Sequence, residues 1–306
     1  MRLELRPLTL ADAPAVHAMI CDPSLAAAYE ALVPAGELED EWKDPYFIPE
    51  LAFLALADGE PAGWSLGMVI LNGPHTFAFV RIGVPAPWRR RGIGSALLKR
   101  TLDGLNAEPA RWTLAEISMC AWLPSDTAAP FAEHHGFRHA RSFWRMSRPR
   151  GLPVPAPAWP VGIELRELQG DRMLGEWNDA YNASFAEHYH FVPSTHGGLR
   201  QRMETAEFRT GVVLLAYRDG ECVGFCRNAF LGRRGEIALL GTVPAARGIG
   251  LGRALLRQGV EWIEARDCDT TELLVDGENE SALRLYESEG FAVIQTRAAW
   301  SHPPGL

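Results

Sequence analysis

The sequence predicts a mixed α/β fold, a mixed sheet flanked by helices, built twice in tandem. Three observations carry the prediction. The chain of 306 residues repeats itself: "LELRPL" from Leu3 returns as "IELREL" from Ile163, "RRRGIGSALL" from Arg89 as "RGIGLGRALL" from Arg247, and "EHHGF" from Glu133 as "ESEGF" from Glu287, so internal similarity outranks any single-domain reading. Between the copies, "RPRGLPVPAPAWPVG" (Arg148 to Gly162) is too rich in proline to continue a helix or a central strand and reads as a linker. Within each copy, alternating apolar runs give way to runs of helical period. The expected organisation is an N-terminal domain over 1–148, a proline-rich linker over 149–162 and a C-terminal domain over 163–306.

Each copy opens with a strand and then a helical stretch, Ala11 to Ile20 in the first and Asp171 to Phe185 in the second. Two strands follow, "ELAFLALADGEPAGWSLGMVIL" and "GVVLLAYRDGECVGFCRNAFL", and their Asp-Gly pairs predict tight hairpin turns. A further strand enters the glycine and arginine segment and its helix. In the second copy Leu251, Leu255, Trp262 and Ile263 line one face of that helix, with Arg253, Arg257 and Glu264 on the other. A strand, a helix ending at Gly-Phe and a last strand ("VIQTRAAW") complete the unit.

Composition sets the outer bounds. Apolar residues make up 47% and charged residues 22%, the balance of an ordinary globular protein. The net charge of −8 offers no basic field for a nucleic acid and mildly favours a cationic small substrate. No stretch approaches the roughly 20 apolar residues of a membrane span, and the N-terminus, "MRLELRPLTLADAP", is charged from its second residue, unlike a secretory signal. A cytoplasmic location is expected. The five cysteines are odd in number and scattered, which suits a reducing compartment. Cys222 and Cys226, four apart in "ECVGFC", are expected on one strand face as buried thiols; no second pair at zinc-site spacing follows, and no metal is expected.

The chemistry concentrates in "PAARGIGLGRALL" (Pro244 to Leu256). A helix start leaves backbone N–H groups without partners and carries partial positive charge. Gly248, Gly250 and Gly252 clear side chains from that end, while Arg247 and Arg253 add charge at its rim, so an anion is the expected ligand. A dinucleotide-binding loop fits less well, because Arg253 occupies the third glycine's place and the segment falls late in its domain. The first copy repeats the motif with Arg89, Gly92 and Gly94.

A strand, then Arg-x-x-Gly-x-Gly and a helix, then Asn-x-x-Ala-x-x-x-Tyr-x-x-x-Gly-Phe from Asn279, resembles the GNAT superfamily of acyl-CoA-dependent N-acyltransferases, in tandem over nearly the whole chain. The resemblance implies acetyl-CoA as co-substrate, its diphosphate held by the loop and helix start formed by Arg247, Gly248, Ile249, Gly250, Leu251, Gly252 and Arg253. It implies that Thr242 and Val243 pair with the pantetheine amides and that Asn279 closes the loop under that arm. Tyr286 would be the general acid for the leaving thiolate and Glu236, eleven residues before Arg247, the general base. The residues alone leave alternatives open: Tyr286 as a tyrosine packed on Phe291, Glu236 as an exposed residue at a strand entry. The implied reaction is attack by a primary amine of a small molecule or peptide on the thioester, without nucleic acid, membrane or metal.

In the first copy Val84, Arg89, Gly92 and Gly94 retain a binding loop. Phe131 stands near the tyrosine's place, Pro124 or Ser125 near the asparagine's and Ala78 at the glutamate's, so this domain reads as degenerate. A tandem with one degenerate and one intact half also resembles the mycothiol synthases, which acetylate an amine of a cysteine-glucosamine-inositol conjugate. A reading from another class is a non-catalytic acyl-CoA-binding or regulatory protein. Among weaker signals, "FAEHYHF" (Phe185 to Phe191) lies where the acceptor wall falls in the family, His134 and His135 are expected to cap a helix C-terminus, and "GELEDEWKD" (Gly36 to Asp44) is an acidic surface run.

Overall fold

A computed structural model describes residues 1–26, 42, 47–107, 111–204, 208 and 211–304; the acidic run from Gly36 lies outside them except for Trp42. The chain forms two compact units, Met1–Ser142 with Thr296–Leu306, and Phe143–Gln295.

The first unit contains β1 (Leu3–Pro7), α1 (Ala13–Ile20), α2 (Pro23–Ala26), β2 (Phe47–Ala57), β3 (Glu60–Ile70), β4 (Phe77–Gly83), α3 (Ile93–Ala107), β5 (Glu116–Leu123) and α4 (Ala128–His134). Its strands follow the order β1-β2-β3-β4-β5, antiparallel except for the β4–β5 pair. Next comes β6 (Arg138–Pro149), whose residues from Phe143 onward belong to the second unit.

The second unit continues with β7 (Glu164–Glu167), α5 (Gly170–Phe185), α6 (His196–Met203), β8 (Val212–Arg218), β9 (Glu221–Leu231), β10 (Arg234–Thr242), α7 (Leu251–Glu264), β11 (Thr270–Asp276) and α8 (Glu280–Ser288). The strands follow β7-β8-β9-β10-β11-β6, with β10 and β11 parallel and the remainder antiparallel. The last strand, β12 (Ala292–His302), pairs with β5 through Thr296–His302.

The units therefore do not follow the cut at residue 148. Phe143–Pro149 pairs residue by residue with β11, and Met146 from this stretch is fully buried in the second core. Backbone pairing, which a proline-poor strand can offer and the linker cannot, decides where each stretch belongs. Between β6 and β7 the proline-rich segment forms neither helix nor strand.

Each sheet is covered on both faces. In the second unit Leu251, Leu255, Leu256, Val260 and Ile263 of α7 bury one face, and Leu174 and Trp177 of α5 meet Leu215 and Phe225 on the other. The close approach of α7 needs Gly259: a Cβ there would lie 2.6 Å from Asn228 Oδ1. Both predicted hairpin turns hold, with Asp58–Gly59 and Asp219–Gly220 all at positive φ, the requirement of a type I′ turn.

The cysteine pair departs from its expected geometry. A register shift between Ala216↔Gly224 and Tyr217↔Cys222 inserts one residue, so Cys222 packs on the α5 side while Cys226 sits in the α7 core. A bulge reverses the face of everything beyond it. Cys226 is a buried free thiol and Cys222 a half-buried one; burial pushes Cys222 up to about 11 and Cys226 further.

Candidate active site

The parallel pair β10–β11 holds together over only three rungs, Arg234↔Thr270, Gly235↔Thr271 and Glu236↔Glu272. β10 then runs on to Thr242 and β11 to Asp276 without further pairing to each other, while β10 stays paired to β9 as far as Thr242↔Gly224. One edge of β10 is thus open from Ile237 onward. The first unit repeats this split, with β4 and β5 paired only over Phe77–Phe79 and Glu116–Ser118.

Alternation along the antiparallel β9–β10 ladder decides which backbone groups face the opening. Val243 donates its N–H to Val223 O at 3.0 Å and accepts from Ala246 N at 2.9 Å, so both its groups are engaged. Counting back from this rung, Gly241 also bonds toward β9, whereas Thr242 and Leu240 turn their N–H groups toward the split. Of the two residues named from the sequence, Thr242 turns its N–H toward the split and Val243 turns its own toward β9. The register needed to see this depends on the irregularity between Ile237 and Leu239, which the sequence does not display.

The opening leads directly to the glycine loop. Gly248 (φ +79°) and Gly250 (φ +89°) hold left-handed conformations, and a Cβ at either would meet nothing within 4 Å. Gly250 is the N-cap of α7, and no side chain caps this end, so the N–H groups of Leu251, Gly252 and Arg253 lack partners in the helix. A Cβ on Gly252 would only graze Leu285 and Thr242, each at 4.0 Å. The Leu251 side chain is buried in the core and Ile249 is 43% exposed.

The two arginines are already engaged. Arg247 donates from Nη2 to Ser184 O at 3.1 Å and from Nε to Thr242 O at 3.4 Å, and its Nη1 lies 3.8 Å from Glu187. Arg253 donates to Ser288 Oγ at 2.9 Å and to Glu289, which Arg257 also grips at 2.8 and 2.9 Å. Burial works against the Glu289 charge, yet the hydrogen bonds from Arg257 and Arg253 prevail and hold its pKa below the usual glutamate value. Arg253 thereby ties α7 to the end of α8.

Asn279 is the N-cap of α8. Its Oδ1 accepts from Ala282 N at 3.1 Å and Ser281 Oγ at 3.0 Å, which fixes the start of the helix carrying Tyr286. Tyr286 is buried beside Phe291, ring centroids 6.0 Å apart. Burial first, and then the nearby Cys226, push its phenol well above the ordinary tyrosine value. Cys226 is in turn the register partner of Leu240 on β10. Glu236 lies at the other end of the opening, half-buried at the vertex of the split. Glu272, its neighbour across the rung, lies 3.8 Å from Arg234 and 4.0 Å from Arg145; sequence reasoning did not single it out.

The first copy can now be aligned by its hydrogen bonds. Phe137 N donates to Ala132 O at 3.0 Å as Phe291 N donates to Tyr286 O at 3.1 Å. The tyrosine's counterpart is therefore Ala132, four residues before Gly136 as Tyr286 is before Gly290; Phe131, read near that place, corresponds to Leu285. Ser125 Oγ accepts from Ala128 N at 3.2 Å, matching Asn279. Phe131 closes over the loop, lying 3.2 Å from a Cβ built on Gly94, and Arg90, at φ +60°, stands in place of Gly248. His135 follows the last turn of α4 and contacts Ser95 Oγ at 2.9 Å. In the stretch after α5, His188 packs edge-on to Phe185 and His190 stacks on Tyr189. Among the described residues no three His, Cys, Asp or Glu side chains converge as a metal site would require.

A sheet split along its parallel pair, opening onto an uncapped, glycine-lined helix start, defines a GCN5-related acetyltransferase. The chain matches the Acetyltransferase (GNAT) family over residues 21–137 and again over 165–291, and it belongs to that family. It is 32% identical over 279 residues to the mycothiol acetyltransferase of Thermobispora bispora, covering 86% of this chain and 92% of the relative. To that of Sanguibacter keddieii it is 30% identical over 317 residues, covering 94% and 92%. Among solved structures, a GCN5-related N-acetyltransferase from Sphaerobacter thermophilus superposes with a TM-score of 0.77 at 26% identity, over 99% of this chain and 97% of that one. A tandem GNAT protein from the clavulanic acid biosynthesis pathway shares the fold, with a TM-score of 0.77 at 16% identity over 100% and 99%.

Proposed function

We propose that the second unit transfers an acetyl group from acetyl-CoA to a primary amine of a small molecule or peptide by direct attack. The observation that supports this most is the continuity of the open edge at Leu240 and Thr242 with the bare helix start at Gly250. An extended, amide-bearing arm ending in a diphosphate matches both at once: strand-like pairing along β10, and an anion against free N–H groups and the helix dipole. The amine nitrogen attacks the thioester carbonyl carbon, the C–S bond breaks, and the thiolate takes the phenolic proton of Tyr286. Glu236 takes the proton released by the amine. A phenol whose ionisation is opposed by burial stays protonated at neutral pH, so Tyr286 keeps a proton to give as charge develops on the leaving sulfur.

The likeness to mycothiol acetyltransferases supports a narrower acceptor, the cysteine-glucosamine-inositol precursor of mycothiol. For the first unit the non-catalytic reading is favoured by one observation: Ala132 occupies the place of Tyr286, and no proton donor stands there. The experiment is thiol release from acetyl-CoA against a panel of amines that includes this precursor, with wild type and Tyr286→Phe. Turnover should fall by about 10²-fold in the variant while CoA affinity stays within twofold. Absence of wild-type turnover with every amine, alongside tight CoA binding, would favour the binding-protein reading.

A further inference from the structure

The two copies hold their motif arginines in the same way. Arg89 donates from Nε to Val84 O at 2.9 Å and from Nη2 to Ser24 O at 2.8 Å. Arg247 donates from Nε to Thr242 O and from Nη2 to Ser184 O. Val84 and Thr242 each lie five residues before their arginine, just after β4 and at the end of β10, while Ser24 lies in the short α2 that follows α1 and Ser184 in the last turn of α5. The first copy keeps this clasp although Phe131 closes over its glycine loop and Ala132 replaces the tyrosine. A contact that persists where the ligand's approach is blocked is maintained by something other than the ligand.

We propose that Arg247 is a positioning residue and not a ligand of the coenzyme's phosphates. Two of its guanidinium nitrogens bind neutral backbone carbonyls, and the third lies 3.8 Å from the Glu187 carboxylate, which offsets charge that a phosphate would otherwise meet. What the clasp does is hold three things in register: the end of α5, the carbonyl of Thr242 and the turn into Gly248. Locking the Thr242 carbonyl fixes the peptide plane beyond it and the path from β10 into the loop, so that strand-edge amide and helix start are aligned before any ligand arrives. The bare N–H groups of the loop then carry the diphosphate by themselves.

The inference rests on the acetyl-CoA reading above, and its test separates the two. Wild type and the variants Arg247→Ala, Arg247→Gln and Arg247→Lys are assayed with acetyl-CoA and with acetyl-pantetheine, which has the amide-bearing arm but no diphosphate. A positioning role predicts the same loss in kcat/KM for both donors in Arg247→Ala, about 10²-fold for a misplaced site, unchanged by added salt, with Arg247→Lys no better than neutral Arg247→Gln. A phosphate ligand predicts loss with acetyl-CoA only, screened by salt and largely rescued by lysine; that pattern would overturn the proposal. Hydrogen exchange of the ligand-free protein gives a second reading that needs no turnover: amides from Val243 to Ala254 exchange faster in Arg247→Ala if the arginine is a clasp, and at the wild-type rate if it is not. Failure of wild type to use acetyl-CoA at all strikes the functional reading instead, and the exchange result still decides the role of Arg247.

Discussion

Glu236 and Glu272 face each other across the last rung that joins β10 to β11. Alternation puts both side chains on one face, opposite the buried Ile237 and Leu273, so two carboxylates stand where the sheet begins to open. Glu272 has Arg145 and Arg234 within 4.0 Å, and Glu236 is the base in the reaction proposed above. Glu236→Gln keeps the shape and removes proton acceptance; kcat should drop by about 10²- to 10⁴-fold with CoA affinity unchanged. Steady-state kinetics beside equilibrium titration check this, and a variant retaining wild-type kcat would remove Glu236 from the mechanism.

Gly252 separates stability from binding. It sits in the first turn of α7 with open space where a Cβ would project, so Gly252→Ala should leave the fold intact or stabilise it by roughly 0.5–1 kcal/mol. The added methyl nevertheless points into the proposed diphosphate position, and CoA affinity should fall by at least about tenfold, a loss near 1.4 kcal/mol. Its counterpart Gly94→Ala meets Phe131 at 3.2 Å and should leave CoA affinity of the whole chain unaltered. Calorimetric titration reads both variants, and equal effects of the two substitutions would contradict the assignment of the site to the second unit.

Much of this arrangement was legible in the sequence because it rests on local chemistry. Asp219–Gly220 had to be a hairpin turn, Gly250 had to stand at a helix start, and the spacing from Arg247 to Asn279 placed two motifs in one domain. What could not be read there depends on pairing between distant strands. Nothing local distinguishes Thr242 from Val243 until the rung to Val223 is known. The single extra residue opposite Tyr217 that separates Cys222 from Cys226 leaves no mark on the alternation pattern. Phe131 drew attention as the aromatic nearest the tyrosine's place although it lies five residues before Gly136 where Tyr286 lies four before Gly290, and the hydrogen bond from Phe137 fixes the register at Ala132.

Alkaline pH should unfold the second unit early. Burial pushes Cys226 and Tyr286 well above their ordinary values. Their folded pKa values therefore exceed those in the unfolded chain. Stability from keeping them neutral is complete below the ordinary cysteine value, near pH 8.5, and is lost as pH rises, by up to about 1.4 kcal/mol per pH unit for each group. Denaturant titrations between pH 7 and 11 should show that decline for wild type. Tyr286→Phe, which cannot ionise, should show a shallower one above pH 10; parallel curves would mean that Tyr286 is reached by solvent and titrates normally.

The position of Arg148 makes a prediction about how the chain can be divided. This residue belongs to β6, ahead of the linker, yet its guanidinium is almost completely buried in the second unit, donating to Glu264 Oε1 at 2.6 Å, Glu289 O at 3.0 Å, Leu152 O at 2.7 Å and Pro153 O at 3.1 Å. One of those acceptors lies at the end of α8, where a cation complements the helix dipole. A fragment beginning at Ile163, the boundary the repeat suggests, discards Arg148 together with the strand that pairs β11 from Thr270 to Asp276. It exposes the β11 edge and uncovers the core around Leu273 and Val275. Such a fragment should fail to unfold cooperatively, whereas a fragment of residues 143–295 should melt as one unit and retain CoA binding. Restoring only residues 143–162 to the shorter piece isolates the contribution of β6, because Arg148→Ala within the longer fragment should then cost several kcal/mol by leaving the Glu264 carboxylate and the α8 carbonyl without their donor.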